Sequence, residues 1–140
     1  MDDSTLTKLI LSVLSEIPDW EWHDDDETPY ADGETGLFYG AIGPTPDRAV
    51  GARVYGGTDD PETGLKIRRV QLRTRGEPGR KDGADVLADA AFARLKKLSR
   101  VGGILGIRRE SMTPLGADTN GREERSDNYA VTVDNVEATA

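Results

Sequence analysis

A chain of 140 residues, 36% hydrophobic and 31% charged, is long enough for one domain but leaves it a thin core. It contains no cysteine, which excludes disulfides, thiolate metal sites and a cysteine nucleophile. No apolar run reaches the length of a membrane span and the acidic N-terminus is unlike a signal peptide, so the expectation is a soluble, non-membrane protein folding in a cytoplasm. The net charge of -8 is unevenly spread. Residues 1–36 hold 11 acidic groups against Lys8 alone, a block of -10, whereas residues 65–109 hold 13 basic and 4 acidic groups, a block of +9. So much acid disfavours non-specific DNA binding, and complementary blocks suit a chain that meets copies of itself.

In chain order, residues 4–17 are predicted as the first helix. Leu6, Leu9, Ile10, Val13, Leu14 and Ile17 fall at three- and four-residue spacing, Ser4 is a candidate cap, and Pro18 stops the run. Trp20 and Trp22 then lead into Asp24, Asp25, Asp26 and Glu27. The indoles read as cover for the core edge and the acids as a solvated loop. A divalent-cation site is the sharper alternative, but the alternate spacing and glycine of a calcium loop are missing. Strands are expected over residues 37–42 and 49–55, joined by a stiff connection carrying Pro44 and Pro46. A central strand follows, in which Val70, Leu72 and Thr74 alternate with Arg69, Gln71, Arg73 and Arg75. After a turn through Gly76, Pro78 and Gly79, Asp82 is placed to cap a second helix with Ala84, Leu87, Ala88, Ala91, Leu95 and Leu98 on one stripe. Gly102 and Gly103 close it. Residues 104–109 form a fourth strand, residues 111–121 a long excursion ending in the turn signal Asn120-Gly121, and Tyr129, Val131 and Val133 mark a last strand. Tyr129 is expected in the core with its hydroxyl at the edge, and residues 137–140 are expected to fray. The pattern predicts a single α+β domain over residues 1–140, one mostly antiparallel sheet of about 4–5 strands with two helices packed on one face.

Catalytic machinery is hard to assemble from this chain. His23 is the only histidine, and neither Ser111 nor Ser126 stands in a G-x-S-x-G context. The glycines form no dinucleotide or phosphate loop, and Asp118-Thr119-Asn120-Gly121 lacks the glutamate that would close a calcium loop. No cofactor, metal or catalytic residue is therefore assigned, and the expectation is a protein that is not an enzyme. The arginine row is either a solvated sheet face or a subunit interface. In the second reading Arg69, Arg73 and Arg75 meet Asp24, Asp25, Asp26 and Glu27 of another copy.

Val70-Gln71-Leu72-Arg73-Thr74-Arg75-Gly76, with the proline-containing turn and Ala/Leu-rich helix after it, resembles the tail-terminator proteins of long-tailed bacteriophages, often labelled minor capsid proteins. Phe38-Tyr39-Gly40, the segment Thr45-Pro46-Asp47-Arg48-Ala49-Val50, Val54-Tyr55-Gly56, and the run from Gly116 to Tyr129 carry the same resemblance, which extends with gaps from the first helix to Val133. It implies a structural virion protein at the tail–head junction, made and assembled in the host bacterial cytoplasm. Such proteins form a ring, typically a hexamer, that caps the tail tube, stops its growth and joins the head-connector protein. Genomic DNA would pass through the lumen without specific binding. Asp118, Asn120 and Arg122 would shape a loop contacting the tube or connector. The alternatives are another phage neck component, a head-completion or stopper protein, or a small cytosolic ligand-binding or hydrolytic domain.

Overall fold

The computed structural model describes residues 1–25 and 27–134; Asp26 and the 137–140 tail lie outside the described residues. The first helix, α1 (Asp3–Leu14), is capped by Asp2, whose Oδ1 accepts the Thr5 N–H at 2.7 Å, two residues before the cap expected at Ser4. Leu6, Ile10, Leu11 and Leu14 are buried, with Leu9, Val13 and Ile17 packed at the margin. Six strands follow: β1 (Trp20–Trp22), β2 (Thr35–Tyr39), β3 (Ala49–Asp59), β4 (Lys66–Pro78), β5 (Ile104–Ala117) and β6 (Arg122–Val133). The second helix, α2 (Gly83–Leu95), lies between β4 and β5.

All six strands belong to one sheet in the order β1-β2-β3-β4-β6-β5. The pairings from β3 to β5 are antiparallel, as the pattern predicted. The other end of the sheet adds two parallel pairings, β1 with β2 and β2 with β3, so the mostly antiparallel sheet is mixed and has six strands where about 4–5 were expected. A correction concerns residues 111–117, expected as an irregular excursion, which instead prolong β5 along β6. Pro114 is tolerated there because β5 is an edge strand with one unpaired side.

Both helices cover one face. α1 packs on β1, β2 and β3, α2 on β4 and β6, and the helices touch each other. The core between helices and sheet is built from Leu37, Val50, Ala52, Val70, Leu72, Tyr129 and Val131 below, and from Leu6, Ile10, Leu14, Leu87, Ala91 and Leu95 above. The close seat of α2 on β4 requires glycine at Gly76, where a Cβ would come within 2.6 Å of the Gly83 backbone. Trp20 is buried at the β1 edge, consistent with an indole closing the core.

Polar residues also enter the helix-covered side. Register pairs Leu72 with Asp127 and Thr74 with Arg125, which places both charges under α2. Arg125 forks onto both Asp127 oxygens at 2.7 and 3.1 Å and reaches Asp85 of α2 at 3.1 Å. Burial alone would discourage its charge; Asp127 and then Asp85 outweigh that and hold its pKa above the ordinary arginine value.

Candidate functional site

The face without helices is where the arginine row lies, and its members differ in what they touch. Cross-strand register places Arg69 and Arg108 in one row through Ala130, and Arg73 beside Ser126. Arg69 pairs with Glu110 at 3.3 Å, Arg108 with the same carboxylate at 3.5 Å, and Arg73 with Glu124 at 3.0 Å. The side chains of Arg73 and Arg108 remain 51% and 76% exposed, so these pairs leave them open to a second partner and contribute little stability by themselves.

Arg75 is turned inward. The chain between β2 and β3 crosses the open face here, and Arg75 donates to the carbonyls of Asp47 (3.0 Å), Gly43 (2.9 Å) and Pro46 (2.7 Å). Burial, and secondarily the charge of Arg122, lower its pKa from the ordinary arginine value. Arg122 holds the same connection from the other side, donating to the Pro44 carbonyl at 2.9 Å and to Asp47 at 3.2 Å. The two guanidiniums thus fix a proline-containing loop that has no strand partner of its own.

The turn at 118–122 joins this arrangement. Asp118 Oδ1 accepts the N–H groups of Asn120 and Arg122, both at 2.9 Å, and its Oδ2 accepts Arg122 Nε at 2.8 Å. The Arg122 N–H, ahead of the other contacts, holds the Asp118 carboxyl below its ordinary value. Gly79 N–H donates to Gly121 O at 3.0 Å, tying the turn to the end of β4. Asp118 and Arg122 are therefore the frame of this loop, and Asn120 is its exposed tip.

The acidic stretch lies at the opposite margin of the sheet, after β1. Asp24 pairs with Lys8 at 3.5 Å, and Asp25 turns back on its own loop to accept the Thr28 N–H at 2.6 Å and the Glu27 N–H at 3.0 Å. That backbone bond from Thr28 keeps the Asp25 carboxyl below its usual value. Glu27 is exposed. Charge near the two edge strands is sorted by sign along the chain. Asp19, Glu21, Asp24, Asp25, Glu27, Asp32 and Glu34 flank β1 in sequence, while Arg94, Lys96, Lys97, Arg100, Arg108 and Arg109 run from the end of α2 into β5 with no acid between them before Glu110. His23 is at the β1 margin and Ser111 on β5 at the other, where it accepts a hydrogen bond from Asn128 at 3.0 Å. The sheet keeps them apart, and Ser126 on β6 is likewise separated from β1 by three strands, so neither serine sits beside the histidine. Two features escaped the sequence reading. One is the buried Arg125–Asp127 pair, whose signal was the alternation of Arg125, Asp127, Tyr129 and Val131 on one strand face. The other is a convergence of Glu21, His23 and Glu34, taken up below.

Charged residues that brace loops, and margins of opposite sign on a single sheet, are the attributes of a structural protein that presents surfaces. The bacteriophage tail terminator protein family matches residues 24–135, and the chain belongs to that family. It is a structural protein of the phage tail and a component of the virion. Among curated proteins none matches the chain in sequence. No described helix is long and apolar enough to cross a membrane.

Proposed function

We propose that this protein closes into a ring, six copies in the simplest case, on the end of the tail tube. The ring ends the tube's growth and offers its far side to the head-connector protein. Its place is the tail–head junction, after assembly in the cytoplasm of the host bacterium. Family membership supports the tail role. The observation that carries the ring is the sheet order, which sets an acidic margin at β1 and a basic one at β5. Such a protomer can join head to tail, with one patch meeting a different patch on the next copy, as a cyclic assembly requires. In this reading Asp24, Asp25 and Glu27 of one copy face the basic side of the next, formed by Arg108 on the edge strand β5 and by Arg69 and Arg73 on the open face of β4. Arg75 acts within the protomer, shaping the loop beside that contact. The turn of Asp118, Asn120 and Arg122 is the surface offered to tube or connector. A net charge of -8 lets genomic DNA pass the lumen without lodging there, because phosphates are not attracted.

Charge reversal tests the interface. Asp24→Lys with Asp25→Lys should abolish assembly in analytical ultracentrifugation at low salt, and so should Arg73→Glu with Arg108→Glu. A chain carrying all four changes is complementary again and should regain the ring. Unchanged oligomer size in both single-margin variants would refute the contact. Electron microscopy of phage lacking the gene tests the terminator role. Overlong tubes support it, whereas free tails of normal length would assign the protein to the head side of the neck, as a head-completion or stopper component.

A further inference from the structure

The β1 margin carries a second feature that does not depend on the ring. Glu21 and His23 are two residues apart, so they project from the same side of the β1 edge, opposite Trp20 and Trp22. Parallel pairing sets Glu21 beside Gly36, and Glu34, two residues before Gly36, shares that side. One ligand atom from each of Glu21, His23 and Glu34 lies within 4.8 Å of the others.

Two details distinguish this cluster from a chance meeting of surface acids. The His23 ring is already oriented, stacked on Tyr30 with centroids 4.4 Å apart and planes 6° from parallel. Its Nδ1 lies 3.2 Å from the Thr28 carbonyl. That carbonyl can only accept, so Nδ1 carries the proton and Nε2 presents its lone pair, the second-shell arrangement of metal-bound histidines. Tyr30 is itself tethered, through a hydroxyl that donates to the Leu37 carbonyl. The other detail is Glu34. Its Oε1 accepts the Ala31 N–H at 3.2 Å, but its Oε2 is buried and has no hydrogen-bond partner among the described residues. A buried carboxylate oxygen without a donor is costly unless a cation meets it.

We propose that Glu21, His23 and Glu34 form a divalent transition-metal site of the zinc type that ties the β1 edge to the start of β2. One imidazole nitrogen with two carboxylate oxygens suits Zn²⁺, while an imidazole is a poor ligand for Mg²⁺ or Ca²⁺, which take oxygen. With metal–ligand bonds of about 2.1 Å, tetrahedral ligand atoms stand roughly 3.4 Å apart. Closing the present spacing falls to Glu21, whose side chain is exposed and free to swing inward. Water completes the shell. Glu21 and His23 precede the span matched by the family, residues 24–135, and Glu34 lies within it.

The test is titration of the untagged full-length chain with zinc chloride alone, by isothermal calorimetry. One Zn²⁺ per chain is expected, with binding weakened at least about tenfold in His23→Phe, which keeps a ring on Tyr30, and in Glu34→Gln, which keeps the acceptor for Ala31. The neighbouring change Asp24→Asn should leave affinity within about twofold, because that acid pairs with Lys8 and is not a ligand. No saturable binding by the parent chain, or an equal loss in Asp24→Asn, would overturn the assignment. Cobalt chloride on the unmodified chain gives a check that needs no variant. A visible d–d band displaced by zinc is expected, and its absence counts against the site.

Discussion

Replacing Arg125 by methionine probes the charge pair beneath α2 and decides which of its contacts matter. The side chain of Asp127 is 2% exposed and that of Arg125 7%, so the fork between them is shielded from water. Asp85 and Asp89, which also face Arg125, are 59% and 70% exposed. Removing one partner of a buried ion pair costs about 3–5 kcal/mol, because the remaining charge is stranded. Arg109 stays at 3.5 Å from Asp127 and lies over the Phe92 ring at 4.0 Å, so part of the field survives and the expected loss is about 3 kcal/mol. Asp85→Asn should cost no more than about 0.5 kcal/mol, as exposed pairs do. The double change Arg125→Met, Asp127→Leu leaves only Arg109, 23% exposed, without its carboxylate and should recover to within about 1 kcal/mol of the parent. Urea unfolding followed by the fluorescence of Trp20 and Trp22 reads all three. A loss under about 1 kcal/mol in Arg125→Met, or an equal loss in Asp85→Asn, would refute the reasoning.

Two further outcomes follow from individual groups. Tyr129 is 1% exposed and its hydroxyl is buried without a partner among the described residues, so Tyr129→Phe should be neutral or stabilising by up to about 1 kcal/mol in the same assay. Asp118 has a folded pKa below its reference of 3.8. Its stabilisation is therefore complete above the unfolded value and lost as pH falls through the lower folded one. Melting temperature should drop below about pH 4, and Asp118→Asn should flatten that drop while leaving the fold intact; a parallel acid limb in parent and variant would show that Asp118 does not contribute.

Periodicity made α1 and the β4–α2 unit legible, because their apolar residues outnumber alternatives at one spacing. Where it failed, the competing physics is identifiable. β1 has three residues, too few for alternation to register, and its parallel partner starts 15 residues after Trp20. Residues 111–117 carry Pro114 and Gly116, which signal a turn in isolation and are accommodated only because the strand is at an edge. Tyr129 was expected to put its hydroxyl at the rim, but β6 lies between β4 and β5 and encloses it. Residue type alone could not sort the arginines: Arg73 stays on the surface, whereas Arg75, Arg122 and Arg125 each find carbonyls or carboxylates that make burial tolerable. Glu21, His23 and Glu34 could not be grouped from sequence, since only the β1–β2 register brings Glu34 back to the other two.

The same margins bear on why the proposed assembly would close instead of growing without limit. A long bare edge strand is a template for strand addition. β5 spans 14 residues, but its ladder with β6 is broken by three register shifts and it carries Pro114, which lacks an amide donor. At the other end, β1 offers three residues and then turns into an acidic loop. Both edges are poor templates for extending a regular sheet from copy to copy, so in the proposed ring contact between protomers would fall to side chains and loops. A fixed angle between unlike patches closes when it divides a full turn. In the ring proposed above, an edge that resists strand addition would favour closure over open growth, and Pro114 with the β5 bulges gives this chain such an edge.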